Sequence, residues 1–103
     1  MEFTAEEFEK VSFVKKISEA LIPVQANVDN VEYRIFYDKR YGYRQEYVII
    51  NYKGGARTVR SCNGDSCSAI FEEIAKYLEH GYYDEEWDLV DIESHPEIWE
   101  EVK

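Results

Sequence analysis

The stretch Glu46-Tyr47-Val48-Ile49-Ile50-Asn51-Tyr52, running through Lys53-Gly54-Gly55 and out along Ala56-Arg57-Thr58-Val59-Arg60, constrains the fold more than any other. β-branched and aromatic side chains fit a pleated, half-buried surface, and the Gly-Gly pair behind them supplies the backbone freedom of a tight reversal. The stretch therefore reads as a strand that turns back through a hairpin into another strand. Val48, Ile49 and Ile50 leave no polar position between them, so the strand is expected to bury both faces and to lie in the middle of its sheet.

The flanking segments supply partners for it. Upstream, Val31, Tyr33, Ile35 and Tyr37 alternate with Glu32, Arg34, Phe36 and Asp38, the two-residue period of a half-buried strand. Lys39 to Arg44 reads as an exposed turn longer than the minimal hairpin, and a third strand is predicted from about Ala56 to Cys62, giving an antiparallel meander. At the amino end, Thr4-Ala5-Glu6-Glu7 spells a capping box, with Phe3 and Phe8 at the positions of a hydrophobic staple. Phe8, Val11, Val14, Ile17 and Leu21 then form a stripe expected to face the core, with Glu9, Lys10, Lys15, Lys16 and Glu19 mostly on other faces, until Pro23 stops the helix. Asn63-Gly64-Asp65-Ser66 combines a turn with an N-cap at Asp65 or Ser66. The helix that follows places Ile70, Phe71, Ile74, Tyr77 and Leu78 at core spacing and ends at His80-Gly81.

The last segment, Tyr82 to Lys103, holds nine acids and one base but also Trp87, Leu89, Val90, Ile92, Ile98 and Trp99, enough apolar surface to dock. Ser94-His95-Pro96-Glu97 is a second S-x-x-E box, which predicts a short closing helix from about His95 to Val102. The expected fold is α+β in the order α-β-β-β-α: a three-stranded antiparallel meander packed by two helices. Residues 82–103 form an acidic C-terminal segment with a short helix, docked on a single domain of 1–103.

Composition sets the remaining bounds. At 103 residues the chain supports one hydrophobic core, and 45% apolar residues favour folding despite a net charge of −10. No stretch approaches the roughly 20 apolar residues of a membrane span, and the amino end lacks the basic-then-apolar pattern of a signal peptide, so a cytoplasmic protein with no membrane partner is expected. Cys62 and Cys67 have neither C-x-x-C spacing nor a disulfide framework and read as free thiols. With His80 and His95 they offer metal-ligand residue types in the wrong spacing, and no nucleophile elbow or Cys-His pairing stands out. Gly54-Gly55 joins two strands and precedes no helix, which removes a phosphate loop. No cofactor and no enzymatic activity are expected.

Charge distribution says more than its total. Residues 31–62 contain seven bases (Arg34, Lys39, Arg40, Arg44, Lys53, Arg57, Arg60) and three acids (Glu32, Asp38, Glu46), a local +4 that leaves −14 on the rest of the chain. Two binding readings follow. Arg40, Tyr41, Tyr43, Arg44 and Arg57 mingle bases with aromatics, as on sheets that stack single-stranded bases, although acidic flanks repel a polyanion. Alternatively Asp84, Glu85, Glu86, Asp88, Asp91 and Glu93 form a surface for a basic protein partner. A homo-oligomeric structural protein is a third option.

The α-β-β-β-α order resembles that of the double-stranded-RNA-binding domain, which reads RNA by shape with bases at the start of its second helix. Here that start is Asp65-Ser66-Cys67-Ser68-Ala69, without a lysine, so those functional residues do not carry over. The element order, the size and the run Gly81-Tyr82-Tyr83-Asp84-Glu85-Glu86-Trp87-Asp88 also resemble small acidic anti-CRISPR proteins of phages and mobile elements. That resemblance implies an inhibitor whose carboxylates stand where DNA phosphates would sit and engage the Lys and Arg side chains of a CRISPR effector nuclease.

Overall fold

The computed structural model describes residues 1–80 and 85–103; Asp84, and Gly81 to Tyr83 before it, lie outside the described residues. Within them the chain is α+β, with helices α1 (Ala5–Leu21), α2 (Cys67–His80) and α3 (Glu86–Glu93) and strands β1 (Val28–Asp38), β2 (Arg44–Tyr52), β3 (Arg57–Ser61) and β4 (Trp99–Glu101). The strands form one antiparallel sheet in the order β3-β2-β1-β4.

The two-residue period of β2 divides its apolar run between two cores. Val48 and Ile50 join Val31, Tyr33 and Ile35 of β1 on the face covered by α1 and α2, where Val14, Ile70 and Ile74 meet them. Tyr47 and Ile49 point the other way, onto Phe36, Val59, Leu89 and Ile92 beneath α3. All four consecutive residues Tyr47 to Ile50 are buried, as expected of a central strand clothed on both sides. The hairpin after it closes through Tyr52 and Ala56, with Gly55 at φ 93°, a left-handed conformation that glycine adopts without steric penalty. The longer turn between β1 and β2 is tied by Asp38. Its carboxylate accepts from the backbone amides of Arg40 at 2.8 Å and Tyr41 at 3.3 Å, and from the Arg40 guanidinium.

Both halves of the amino-terminal capping box form: Thr4 N–H donates to Glu7 Oε1 at 2.8 Å, and Glu7 N–H donates to Thr4 Oγ1 at 3.1 Å. The staple is only half there, since Phe3 packs against the core while Phe8 is 61% exposed. The reason lies in what α1 turns toward the sheet. Its buried positions are Glu7, Lys10, Val14 and Ser18, because the polar ends of the first two meet Arg44 and Glu46, and Ser18 Oγ accepts from the Val31 amide. Lys10, expected to face solvent, is thus 6% exposed. Ser66 caps α2 through Ala69 N–H at 3.2 Å, and Phe71, expected in the core, is exposed.

The closing helix expected over His95 to Val102 is not formed. The helix of this segment comes earlier, at Glu86–Glu93, and the S-x-x-E box becomes a turn in which Ile98 and Trp99 amides donate to the His95 carbonyl. Trp99 to Glu101 then add to the sheet as β4, opposite Phe36, Tyr37 and Asp38. A local capping pattern has yielded to an open strand edge, whose backbone groups need partners.

Candidate protein-binding surface and groove

The acidic segment lies on the basic half of the chain. β1 and β3 place Arg34 and Arg57 on the sheet face under α3, where the acids of that helix and of β4 close on them, whereas Arg60 is out of step with Arg57 and Val59 and turns toward the α2 side. Arg34 pairs with Glu101 at 2.8 Å and Glu93 at 3.3 Å; Arg57 pairs with Glu93 at 2.9 Å and Glu86 at 3.0 Å. These contacts form a continuous ion-pair chain from Glu101 through Arg34, Glu93 and Arg57 to Glu86. Arg60 reaches Glu73 and Glu85, each at 3.5 Å, and Glu85 also accepts from the Ser61 amide. Burial alone would raise the Glu93 carboxyl, but the hydrogen bonds and charges of Arg57 and Arg34 outweigh it and hold the group below its ordinary value. Leu89, 0% exposed, and Ile92 supply the apolar part of the docking.

Of the acids proposed as partner-binding, Glu85, Glu86 and Glu93 therefore lean onto the sheet, Asp88 and Asp91 are exposed, with Asp91 3.5 Å from His95 Nδ1, and Asp84 is outside the described residues. The two tryptophans divide as well. Trp99 packs against the core beneath α3, whereas Trp87 stands 84% exposed next to Asp88, with Val90 exposed one turn further. Nothing in the sequence separates them, because both lie in short acidic contexts; the parity of β4 and the rotation of α3 decide.

The basic set is differently occupied. Arg40 pairs with buried Asp38 at 3.0 Å, Arg44 with Glu7, and Arg57 with Glu86 and Glu93. Tyr41 and Tyr43 remain exposed, their rings stacked with centroids 6.3 Å apart. Three of these five residues thus have carboxylate partners within the chain, and the two tyrosines flank the turn.

Between α3 and the β1–β2 turn lies a groove of about 360 Å³. Tyr43, Tyr47 and Trp99 give it aromatic walls, and Glu85, Asp88 and Asp91 give it carboxylates. The Tyr43 and Trp99 rings meet edge to face at 6.2 Å. Burial, and then the charges of Asp88 and Glu85, push the Tyr47 hydroxyl up to about 12. Sequence reading missed this groove, although the alternation in β2 already separates Tyr47 from Val48.

Among the described residues no group of three or more His, Cys, Asp or Glu side chains is arranged to hold a metal ion, and no helix is long and apolar enough to cross a membrane. No protein-family model, curated protein or solved structure matches the chain.

Proposed function

We propose that this protein is a non-enzymatic inhibitor that captures a basic protein surface through the outer face of α3, most concretely the DNA-gripping cleft of a nuclease such as a CRISPR effector. The observation that carries this reading is Trp87, 84% exposed beside Asp88 and Asp91 on a helix pinned down by ion pairs. An exposed tryptophan ringed by carboxylates suits an interface hot spot: the ring supplies apolar area at little entropic cost, and the acids select a cationic partner. The inward acids have a supporting part, since Glu86 and Glu93 hold α3 in place and reduce the ordering cost of binding.

The test is displacement of a labelled DNA duplex from a panel of DNA-binding nucleases that includes CRISPR effectors, read by fluorescence anisotropy. The wild-type protein should displace the duplex from its target. A Trp87→Ala, Asp88→Asn, Asp91→Asn variant should retain the fold by circular dichroism and lose about 100-fold or more in potency. Absence of displacement across the panel, or an equally potent variant, overturns the reading. The alternative, direct nucleic-acid binding by Arg40, Tyr41, Tyr43, Arg44 and Arg57, gains less support because its three arginines already have carboxylate partners. A gel shift with short single- and double-stranded oligonucleotides separates the two, the inhibitor giving no shift.

A further inference from the structure

The geometry points to the groove between α3 and the β1–β2 turn as a receptor for one arginine side chain of the basic partner. The inference rests on the reading above that the partner is a basic protein, and it adds which of that partner's side chains is recognised and where.

Two independent features of the groove ask for such an occupant. The first is its lining, aromatic rings from Tyr43, Tyr47 and Trp99 with the carboxylates of Asp88 and Asp91. Asp88 and Asp91 are three apart on α3, so they lie on one side of it within reach of the two prongs of one guanidinium. Glu85 is committed to Arg60 and the Ser61 amide and adds negative potential at the inner end. The second is Tyr47. It is 4% exposed and lines the groove, yet its hydroxyl makes no hydrogen bond with any described residue. The hydroxyl oxygen is not fully buried, so it keeps contact with groove solvent, and an incoming donor can take the place of that water.

Guanidinium fits both features better than other groups of its charge. It is planar and stacks on aromatic faces, it bridges two carboxylates, and it retains an N–H for the tyrosine oxygen. A lysine ammonium offers only a compact point charge, and a phosphate would be repelled by the carboxylates. The same ring already accepts a guanidinium from within the chain: the Arg40 Cζ lies 6.0 Å from the Trp99 centroid and 5.0 Å from that of Tyr41. Its positive charge is offset by the Asp38 carboxylate at 3.0 Å, so it does not bar a second cation from the acidic side.

The probe is the capped tripeptide Gly-Arg-Gly, titrated into the ¹⁵N-labelled protein, with the lysine and citrulline counterparts as controls. Shifts should concentrate at Tyr43, Tyr47, Asp88, Asp91 and the Trp99 indole, with the arginine peptide binding about fivefold tighter than the lysine peptide and the neutral citrulline peptide producing none. Tyr47→Phe, which keeps the ring, should weaken the arginine peptide about fivefold, and Asp88→Asn with Asp91→Asn about tenfold or more. Shifts scattered over the acids of α1 and α2, an equal response to lysine, or an unaltered Tyr47→Phe would overturn the proposal. If the groove ignores the peptide while the Trp87 variant still loses its nuclease, the arginine receptor falls and the inhibitor stands. If the peptide fills the groove and no nuclease releases its DNA, the inhibitor falls and the receptor stands.

Discussion

Ser18 shows at the scale of one residue how polar groups shape the interior of this protein. It lies on the inner face of α1, 7% exposed, and its Oγ accepts from the Val31 amide at 2.9 Å, on a part of β1 that is paired with β2 but lies beyond the Phe36 to Asp38 stretch covered by β4. Ser18→Ala would leave that buried amide unsatisfied, at a cost of about 1–2 kcal/mol that better helix propensity offsets by only about 0.5 kcal/mol. Urea denaturation should therefore show a net loss near 1 kcal/mol; unchanged stability would mean that water takes over the amide. Leu89 acts through apolar contact alone. Fully buried beneath α3, its replacement by Ala should cost about 3 kcal/mol by the same measurement, and should expose Tyr47 and Ile49 to solvent. That Leu89 and Ile92 would help dock the last segment was legible in sequence, though the helix that carries them was not; nor was the role of Ser18, because a serine in a helix gives no sign of which strand amide it will meet.

Among the elements, α3 depends most on charge. Glu93 joins it to both Arg34 and Arg57, and Glu7 likewise joins α1 to β2 through Arg44. For Glu7, burial raises the carboxyl, but the Thr4 amide and Arg44 outweigh it, so both groups are held below the ordinary value of 4.5. A carboxylate depressed in the folded state binds fewer protons there than in the unfolded chain. Its contribution is fully present above pH 4.5 and is lost as pH falls through the lower folded value. The melting temperature should therefore be flat near neutrality and fall in the acid range, and Glu93→Gln should flatten that fall. Since Glu93 is partly open to solvent, its share is about 1 kcal/mol or less and shrinks in high salt. An identical acid profile for Glu93→Gln would assign the loss elsewhere. The capping box of α1 could be read from four letters because its partners are three residues apart. The similar box at Ser94 misled, because the open edge of β1, distant in sequence, captures Trp99 to Glu101.

For the molecule as a whole, the sheet is closed on both faces, and this governs its two thiols. Cys62 is 1% exposed, and burial, then the charge of Glu46, pushes its thiol above the usual range; Cys67 sits half-buried at the start of α2. A disulfide-exchange reagent at pH 8 should modify Cys67 readily in the native protein, with Cys62 reacting only as the whole structure opens. The rate of the second reaction across urea concentrations should then follow global stability. Equal reactivity of both thiols in the native state would show that the edge of β3 opens locally.

What the sequence alone determined are the features whose physical causes are short in range. The capping box, the turn around Gly55 and the alternation that makes β2 a central strand with two apolar faces each depend on residues a few positions apart. The excess of bases on the meander and of acids beyond it could also be counted. Tertiary structure decided how those charges would be used. Folding brings Glu86, Glu93 and Glu101 onto Arg34 and Arg57, so part of the acidic segment holds the protein together. It turns Trp99 inward and Trp87 outward, and it sets Tyr47 at the floor of an acidic groove. Carboxylates look alike in a sequence; only their distance from a cation, fixed by packing between remote segments, separates those that bind inward from those that face solvent.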